Sequence, residues 1–302
     1  MPPAATPCSI SRCGERHLPG VYSMQDGHIM LGRKARAFLR MTRPELAVMA
    51  VVSVYIGAGG VISTDSLLAM PAVSLITAGS MVFNDYFDRD IDRLAHPDRP
   101  VPAGLVLPRE ALWFSVALFA VAVALSLLIN PWCLALAVFA IAFLVLYETR
   151  FKQQGVMGNI VVALLSGLAF TYGGTAVGRP WDAALLSLMA FFVILGREIL
   201  MDTRDMSADT IKRFTLPMRI GQRAAVRVGG MAAAVSIILT PFPVIWGILG
   251  RWYLALFIPA AALLAYGIFA ALQDTGEAGY ASDLFRIAMA MALGAFLLGI
   301  AL

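Results

Sequence analysis

Nine apolar blocks dominate the chain, over roughly 45–63, 67–87, 110–129, 132–148, 157–178, 182–200, 224–248, 252–272 and 284–302. The hydrocarbon core of a bilayer is ~30 Å thick, and ~20 helical residues cross it. Backbone polar groups inside it must pair with one another, so only helices and closed barrels can span it. Barrel strands alternate polar and apolar residues, and these blocks do not alternate. They predict an all-α polytopic membrane protein of about nine transmembrane helices. Composition agrees: 60% of the 302 residues are hydrophobic and 14% charged, against about 45–50% and 25% in soluble domains.

The placement of basic residues orients the bundle. Of the 23 Lys and Arg side chains, seven precede the first block: Arg12, Arg16, Arg33, Lys34, Arg36, Arg40 and Arg43. Thirteen more fall in the second, fourth and sixth loops and their flanking helix ends, leaving Arg179, Arg251 and Arg286 for the opposite face. The positive-inside rule then predicts a cytoplasmic N-terminus, and nine spans put the C-terminus outside. Anionic lipid headgroups account for the net charge of +4, so no nucleic-acid partner is required. Residues 1–35 are rich in Pro, Ser, Gly and charge and read as a disordered cytoplasmic tail before a membrane domain over 36–302. They lack the basic-then-apolar pattern of a signal peptide. Cys8, Cys13 and His17 have no fourth partner for a zinc site and belong to that tail.

Two acidic runs carry the chemistry. Asn84-Asp85-Tyr86-Phe87-Asp88-Arg89-Asp90-Ile91-Asp92 places carboxylates as D-x2-D-x3-D, and Asp202, Asp205 and Asp209 repeat that spacing. Carboxylates three and seven residues apart share one side of a helix. Six such charges facing one site repel unless cations lie between them. The runs thus predict a divalent-metal site at the rim of the membrane, and hard oxygen ligands suit magnesium bridging carboxylates to phosphate oxygens. Asp90 lies off the shared face and is expected to be solvated.

After the first run, Pro97, Pro100 and Pro102 cannot continue a helix, so an ordered loop or lid is expected there. After the second come Lys212 and Arg213, which could neutralise a phosphate or simply follow the positive-inside bias; Lys152 carries the same ambiguity. Tyr147, Glu148, Asn159, Ser166, Thr171 and Tyr172 are polar groups in or at the ends of apolar blocks, where they face a bundle interior or bond between helices. Tyr147 and Asn159 lie near the acidic end.

At these residues the chain resembles the UbiA family of intramembrane prenyltransferases. Asn84 to Asp92 fits the family motif NDxxDxxxD, continued by Arg99-Pro100 and Gly104. Arg197-Glu198, Asp202, Asp205, Asp209, Thr215-Leu216-Pro217 and Gly221 fit the second motif, and Thr42-Arg43-Pro44 fits the segment before the first helix. The resemblance implies a ring of nine helices around a central cavity. It also implies Mg2+ as cofactor, with Asn84, Asp85, Asp88 and Asp92 on one metal–diphosphate face and Asp202, Asp205 and Asp209 on the other. Arg99, Lys152 and Lys212 become candidate diphosphate contacts, joined by Asn84, Asn159 and Arg197. Asp85, Asp88, Asp202 and Tyr147 are the candidate catalytic residues. Within the family, Asn-Asp-Tyr-Phe-Asp, Gly158-Asn159 and Arg-Glu-Ile resemble the branch that prenylates a glycerol-phosphate ether lipid, although Met201 stands where that branch often has Lys.

The expected partners are a polyprenyl diphosphate donor such as geranylgeranyl diphosphate, a lipophilic acceptor and the lipid bilayer. The acceptor would be a geranylgeranylglycerol phosphate-type ether lipid or an aromatic quinone precursor. Two alternatives use the same residues differently. A membrane terpene cyclase would fold one prenyl diphosphate on itself, and a metal or phosphate transporter would place its sites nearer the midplane.

Overall fold

The computed structural model of the chain describes residues 24–209 and 215–301, the side chains of 24–31 and 207–209 excepted. Among the described residues every regular element is helical. Cys8, Cys13, His17 and Lys212 lie outside the described residues, as does the side chain of Asp209, whose backbone ends a helix.

The first helix, α1 (Met24–Met41), begins inside the segment assigned above to the tail. Its anchor is apolar: Ala37 and Met41 are buried with Val82, Val101, Val106 and Ala111, and the Phe38 ring meets Phe114 edge-on at 4.9 Å. The membrane bundle follows as α2 (Pro44–Gly57), α3 (Thr64–Ala95), α4 (Pro108–Ile129), α5 (Pro131–Thr149), α6 (Val156–Ala176) and α7 (Pro180–Asp209). A short α8 (Leu216–Ile220) leads to α9 (Gln222–Leu239), α10 (Phe242–Ile245), α11 (Trp252–Gln273) and α12 (Ala278–Ala301).

Eight helical segments among the described residues are long and apolar enough to cross a membrane. The first apolar block supplies the shorter α2 of 14 residues, about 21 Å at 1.5 Å per residue. Its chain leaves the helix through Gly59 and Gly60, both at positive φ, a conformation that favours glycine. A short span is tolerated because α2 is packed against α3, α6, α7 and α12, so protein covers much of its backbone.

Successive long helices are neighbours, and α12 packs back on α2, so the bundle closes into a ring. At the end away from the acidic runs the ring is pinched shut. A Cβ on Gly57 would lie 2.0 Å from the Phe170 carbonyl oxygen, and one on Gly173 would lie 2.1 Å from that of Val54. Only glycine permits α2 and α6 to approach this closely. Behind that contact Phe170, Phe296, Tyr253 and Phe257 form an aromatic plug, with Tyr253 and Phe296 stacked at 5.4 Å. The other end is held more openly by polar groups.

Helix direction relocates one basic residue. Gly279, at the start of α12, lies against the Arg204 side chain beside the second acidic run. Arg286, two turns further on, is thus nearer the acidic end and does not belong to the opposite face. Among the described basic residues this leaves Arg179 and Arg251 there: Arg179 approaches Gly59, and Gly250 donates its N–H to the Gly299 carbonyl.

Candidate active site

The site is built at one end of the ring from α3, the turn after α5, α6 and α7. With 32 residues, α3 is about 48 Å long, so its last turns project past a hydrocarbon core. Those turns carry the first acidic run. Asp85 and Asp92 are buried, at 4% and 3% exposure, while Asp90 is exposed beside Arg89 and Arg93 as expected for a solvated residue.

The acids of α3 divide between two flanks. On one, Arg99 donates from Nη1 to Asp92 at 2.7 Å and lies 4.0 Å from Asp85, while Arg43 donates to Asp85 at 3.3 Å. The proline-rich segment holding Arg99 is ordered. Ala103 N–H donates to the Arg99 carbonyl, and Leu105 and Val106 N–H donate to that of Pro100. Val101 and Val106 anchor it in the cluster under α1.

On the other flank Lys152 sits in a turn of 3-10 helix, Phe151–Gln153, just beyond α5. Its ammonium donates to both oxygens of Asp88, at 2.7 and 2.8 Å, and to Glu148 at 2.8 Å. The Asn84 amide donates to the second Glu148 oxygen at 2.9 Å, and the ammonium lies 6.0 Å from the centre of the Tyr147 ring. Asn84, Asp88, Tyr147, Glu148 and Lys152 therefore form one network. Lys152 and Glu148 have side-chain exposures of 10% and 5%, and charges this sheltered need their partners.

The second run ends α7. Asp202 is buried and accepts from the Asn159 amide on α6 at 2.7 Å. Asp205 is half-exposed and pairs with its neighbour Arg204 through two hydrogen bonds, and Arg197 pairs with Glu198 at 3.0 Å. α6 packs against both α3 and α7, and so joins the two runs.

Among the described residues no three His, Cys, Asp or Glu side chains converge as a metal cluster. Asp85, Asp88, Asp92 and Asp205 each face a cationic side chain, because like-charged carboxylates at a low-dielectric rim turn toward whatever positive charge is near. The donor set still fits a magnesium ion. It is made of hard oxygens only, and these positions hold positive charge in the structure. Two members of the site, Glu148 and Arg43, belong to no acidic run and carry no local signal of a role in it. In the sequence Glu148 is one of several polar residues in apolar blocks, and the turn after α5 is what brings Lys152 back over it. In the sequence Arg43 is one of the basic residues before the first apolar block and part of Thr42-Arg43-Pro44. That it reaches Asp85 depends on how α2 packs on α3, which no local pattern encodes.

The model of the UbiA prenyltransferase family matches residues 46–299. Digeranylgeranylglyceryl phosphate synthase from Methanopyrus kandleri is 37% identical over 266 residues, spanning 87% of this chain and 98% of the relative. That from Natronomonas pharaonis is 39% identical, covering 86% and 97%. A solved structure of a digeranylgeranylglyceryl phosphate synthase superimposes with a TM-score of 0.78 at 31% identity, covering 88% of this chain and 98% of that one. A UbiA homologue from Archaeoglobus fulgidus, solved with DMAPP and Mg2+, shares the fold at a TM-score of 0.68 and 22% identity, covering 88% and 99%. Matching over most of its length and carrying both acidic runs at one end of a closed helical ring, the chain belongs to the UbiA prenyltransferase family.

Proposed function

We propose that the protein transfers a geranylgeranyl group from geranylgeranyl diphosphate to the free hydroxyl of a geranylgeranylglycerol phosphate-type ether lipid. The observation that carries this reading is the polar rim itself. Carboxylates on α3 and α7 and the Lys152 ammonium lie at the same end of the ring, with α6 between them, while the far end is plugged by apolar side chains. The synthases similar to this chain at 37% and 39% identity support the choice of acceptor.

Asn84, Asp85, Asp88 and Asp92 would hold magnesium on one side, and Asp202, Asp205 and Asp209 on the other. When bound, the metal supplies charge to the diphosphate oxygens and so eases departure of the leaving group. Lys152 is placed to turn from Asp88 toward those oxygens, adding a positive charge where negative charge develops. Arg197 and Lys212 are proposed as further contacts of the diphosphate, and Arg99, on the flank of Asp85 and Asp92, as a phosphate contact there. Asn159 fixes the direction of Asp202. The C–O bond between the prenyl C1 and the diphosphate breaks, and a new C–O bond forms to the acceptor hydroxyl. The hydroxyl proton passes to the departing diphosphate or to Asp202, with Tyr147 beside the reacting end. The apolar ring keeps water from capturing the allylic carbon first. The acidic end faces the cytoplasm in this reading, on the strength of the basic residues clustered there.

The test is an assay of purified protein in detergent with labelled geranylgeranyl diphosphate and magnesium. It is run without acceptor, with geranylgeranylglycerol phosphate, and with 4-hydroxybenzoate, alongside Asp88→Ala. An ether product that needs the phosphorylated lipid and is lost in the variant is expected. A C-prenylated aromatic product or a hydrocarbon formed without acceptor would replace this reading with a quinone-type transferase or a cyclase. No diphosphate release with any arm would end the enzyme reading.

A further inference from the structure

A polar cavity lies beside the first acidic run, on the flank away from Lys152. It has a volume of about 250 Å³ and is lined by Arg40, Arg43, Asp85, His96, Asp98, Arg99 and Pro100. The donor network of Asn84, Asp88, Glu148 and Lys152 contributes no residue to it. One turn of α3 separates the two: Asp85 faces the cavity and Asp88 faces Lys152.

Its cations have donor capacity to spare. Arg43 directs one guanidinium nitrogen at the thioether sulfur of Met81, 3.4 Å away, and the other at Asp85 at 3.3 Å. Sulfur is a weak acceptor, and a guanidinium has five N–H donors in a fork suited to phosphate. Arg40 has its nearest carboxylate, Asp98, at 3.8 Å across an exposed rim. Arg99 reaches Asp92 through Nη1. Arg43 is also the one described non-glycine residue at positive φ, 46°, and it directly precedes Pro44. The left-handed conformation is unfavourable for a residue with a Cβ, and such strain persists where the surrounding fold imposes it, often at functional sites. Here it accompanies a guanidinium at the head of α2 that points into the cavity. The opposing charges are Asp98 at the solvent edge and Asp85 at the floor, the latter already proposed as a metal ligand.

We propose that this cavity is a phosphomonoester subsite, seating the headgroup phosphate of the lipid acceptor while the donor diphosphate lies beside Asp88 and Lys152. The proposal rests on the prenyl-transfer reading and deepens it. It assigns Arg99 to the acceptor side of the site, and it makes the acceptor phosphate a recognition element. Acceptors lacking a phosphate forgo the contacts with Arg40, Arg43 and His96.

The decisive experiment separates the two sources of phosphate. Binding of geranylgeranylglycerol phosphate and of its dephosphorylated alcohol is measured by calorimetry in detergent, with and without magnesium pyrophosphate. Wild type is compared with an Arg40→Gln, His96→Gln variant whose thermal melt matches it. Steady-state KM values for donor and acceptor are measured in parallel. Loss of these charge-assisted contacts is expected to weaken binding of the phosphorylated lipid about tenfold and to raise its KM similarly. Binding of the alcohol and the donor KM should stay within about twofold. Magnesium pyrophosphate should leave the phosphate-dependent binding in place. Competition by pyrophosphate, or a rise in donor KM alone, would give the cavity to the donor and overturn the proposal. An equal loss for lipid and alcohol would overturn it too, as a structural effect. Failure of transfer with every acceptor would defeat the reaction assigned above, while the binding arm would still decide whether the cavity takes phosphate.

Discussion

At the scale of single residues the site is a set of exchangeable charge pairs. Lys152 is held by Asp88 and Glu148 together, and Glu148 is held in turn by Asn84. Removing the ammonium with Lys152→Met leaves two sheltered carboxylates side by side and takes a positive charge from the leaving group. Turnover is expected to fall about 10²–10³-fold, as when a transition-state donor is deleted; rates of diphosphate release check this. Glu148→Gln keeps the shape and the bond to Asn84 but removes one of the two charges holding Lys152. It should cost less than Lys152→Met, and equal losses in the two variants would show that Glu148 does more than position the lysine. The acids themselves were legible in the sequence, because D-x2-D-x3-D at the end of an apolar block has few uses. Glu148 was not separable from ordinary interhelical polar residues, since its significance depends on the turn that brings Lys152 back over it.

At the scale of elements the ring depends on close helix contacts at the end far from the site. The α2–α6 approach leaves no room for a side chain at Gly57 or Gly173, where the added carbon would meet backbone oxygen. Backbone cannot rotate away as a flexible side chain does. Gly57→Ala or Gly173→Ala is therefore expected to destabilise the protein by about 1–3 kcal/mol, seen as a lower midpoint in detergent thermal melts. Gly294, where an added Cβ meets nothing within 4 Å, is the control, and Gly294→Ala should leave the midpoint nearly unchanged. The sequence showed these glycines as small residues in apolar blocks. It did not show which pairs of helices they bring together.

At the scale of the whole molecule, charge and length set orientation. Leu94 at the acidic end and Trp181 at the other are 89% and 85% exposed, so cysteines placed there report sidedness. With Cys8 and Cys13 replaced, Leu94→Cys is expected to react with impermeant thiol reagent only from the cytoplasmic side and Trp181→Cys only from the outside. The reverse pattern would invert the proposed topology. The native Cys133 is buried and gives little background. Chelation by EDTA should abolish prenyl transfer and added Mg2+ restore it, with the ring's melting midpoint little changed, because the packed helices and not the metal hold the fold.

The all-helical membrane fold, the number of apolar segments and both acidic runs were determined by the sequence, since hydrophobic length and carboxylate spacing are local properties of a chain in a bilayer. The shortness of α2, the start of α1 at Met24 and the side on which Arg286 lies were decided by tertiary structure. So were the division of Asp85 and Asp92 from Asp88, the joining of Asp202 to Asn159, and the cavity that collects Arg40, Arg43, His96 and Arg99. Each depends on which helix faces which, and that is fixed by packing between residues far apart in the chain, where no short-range pattern reaches.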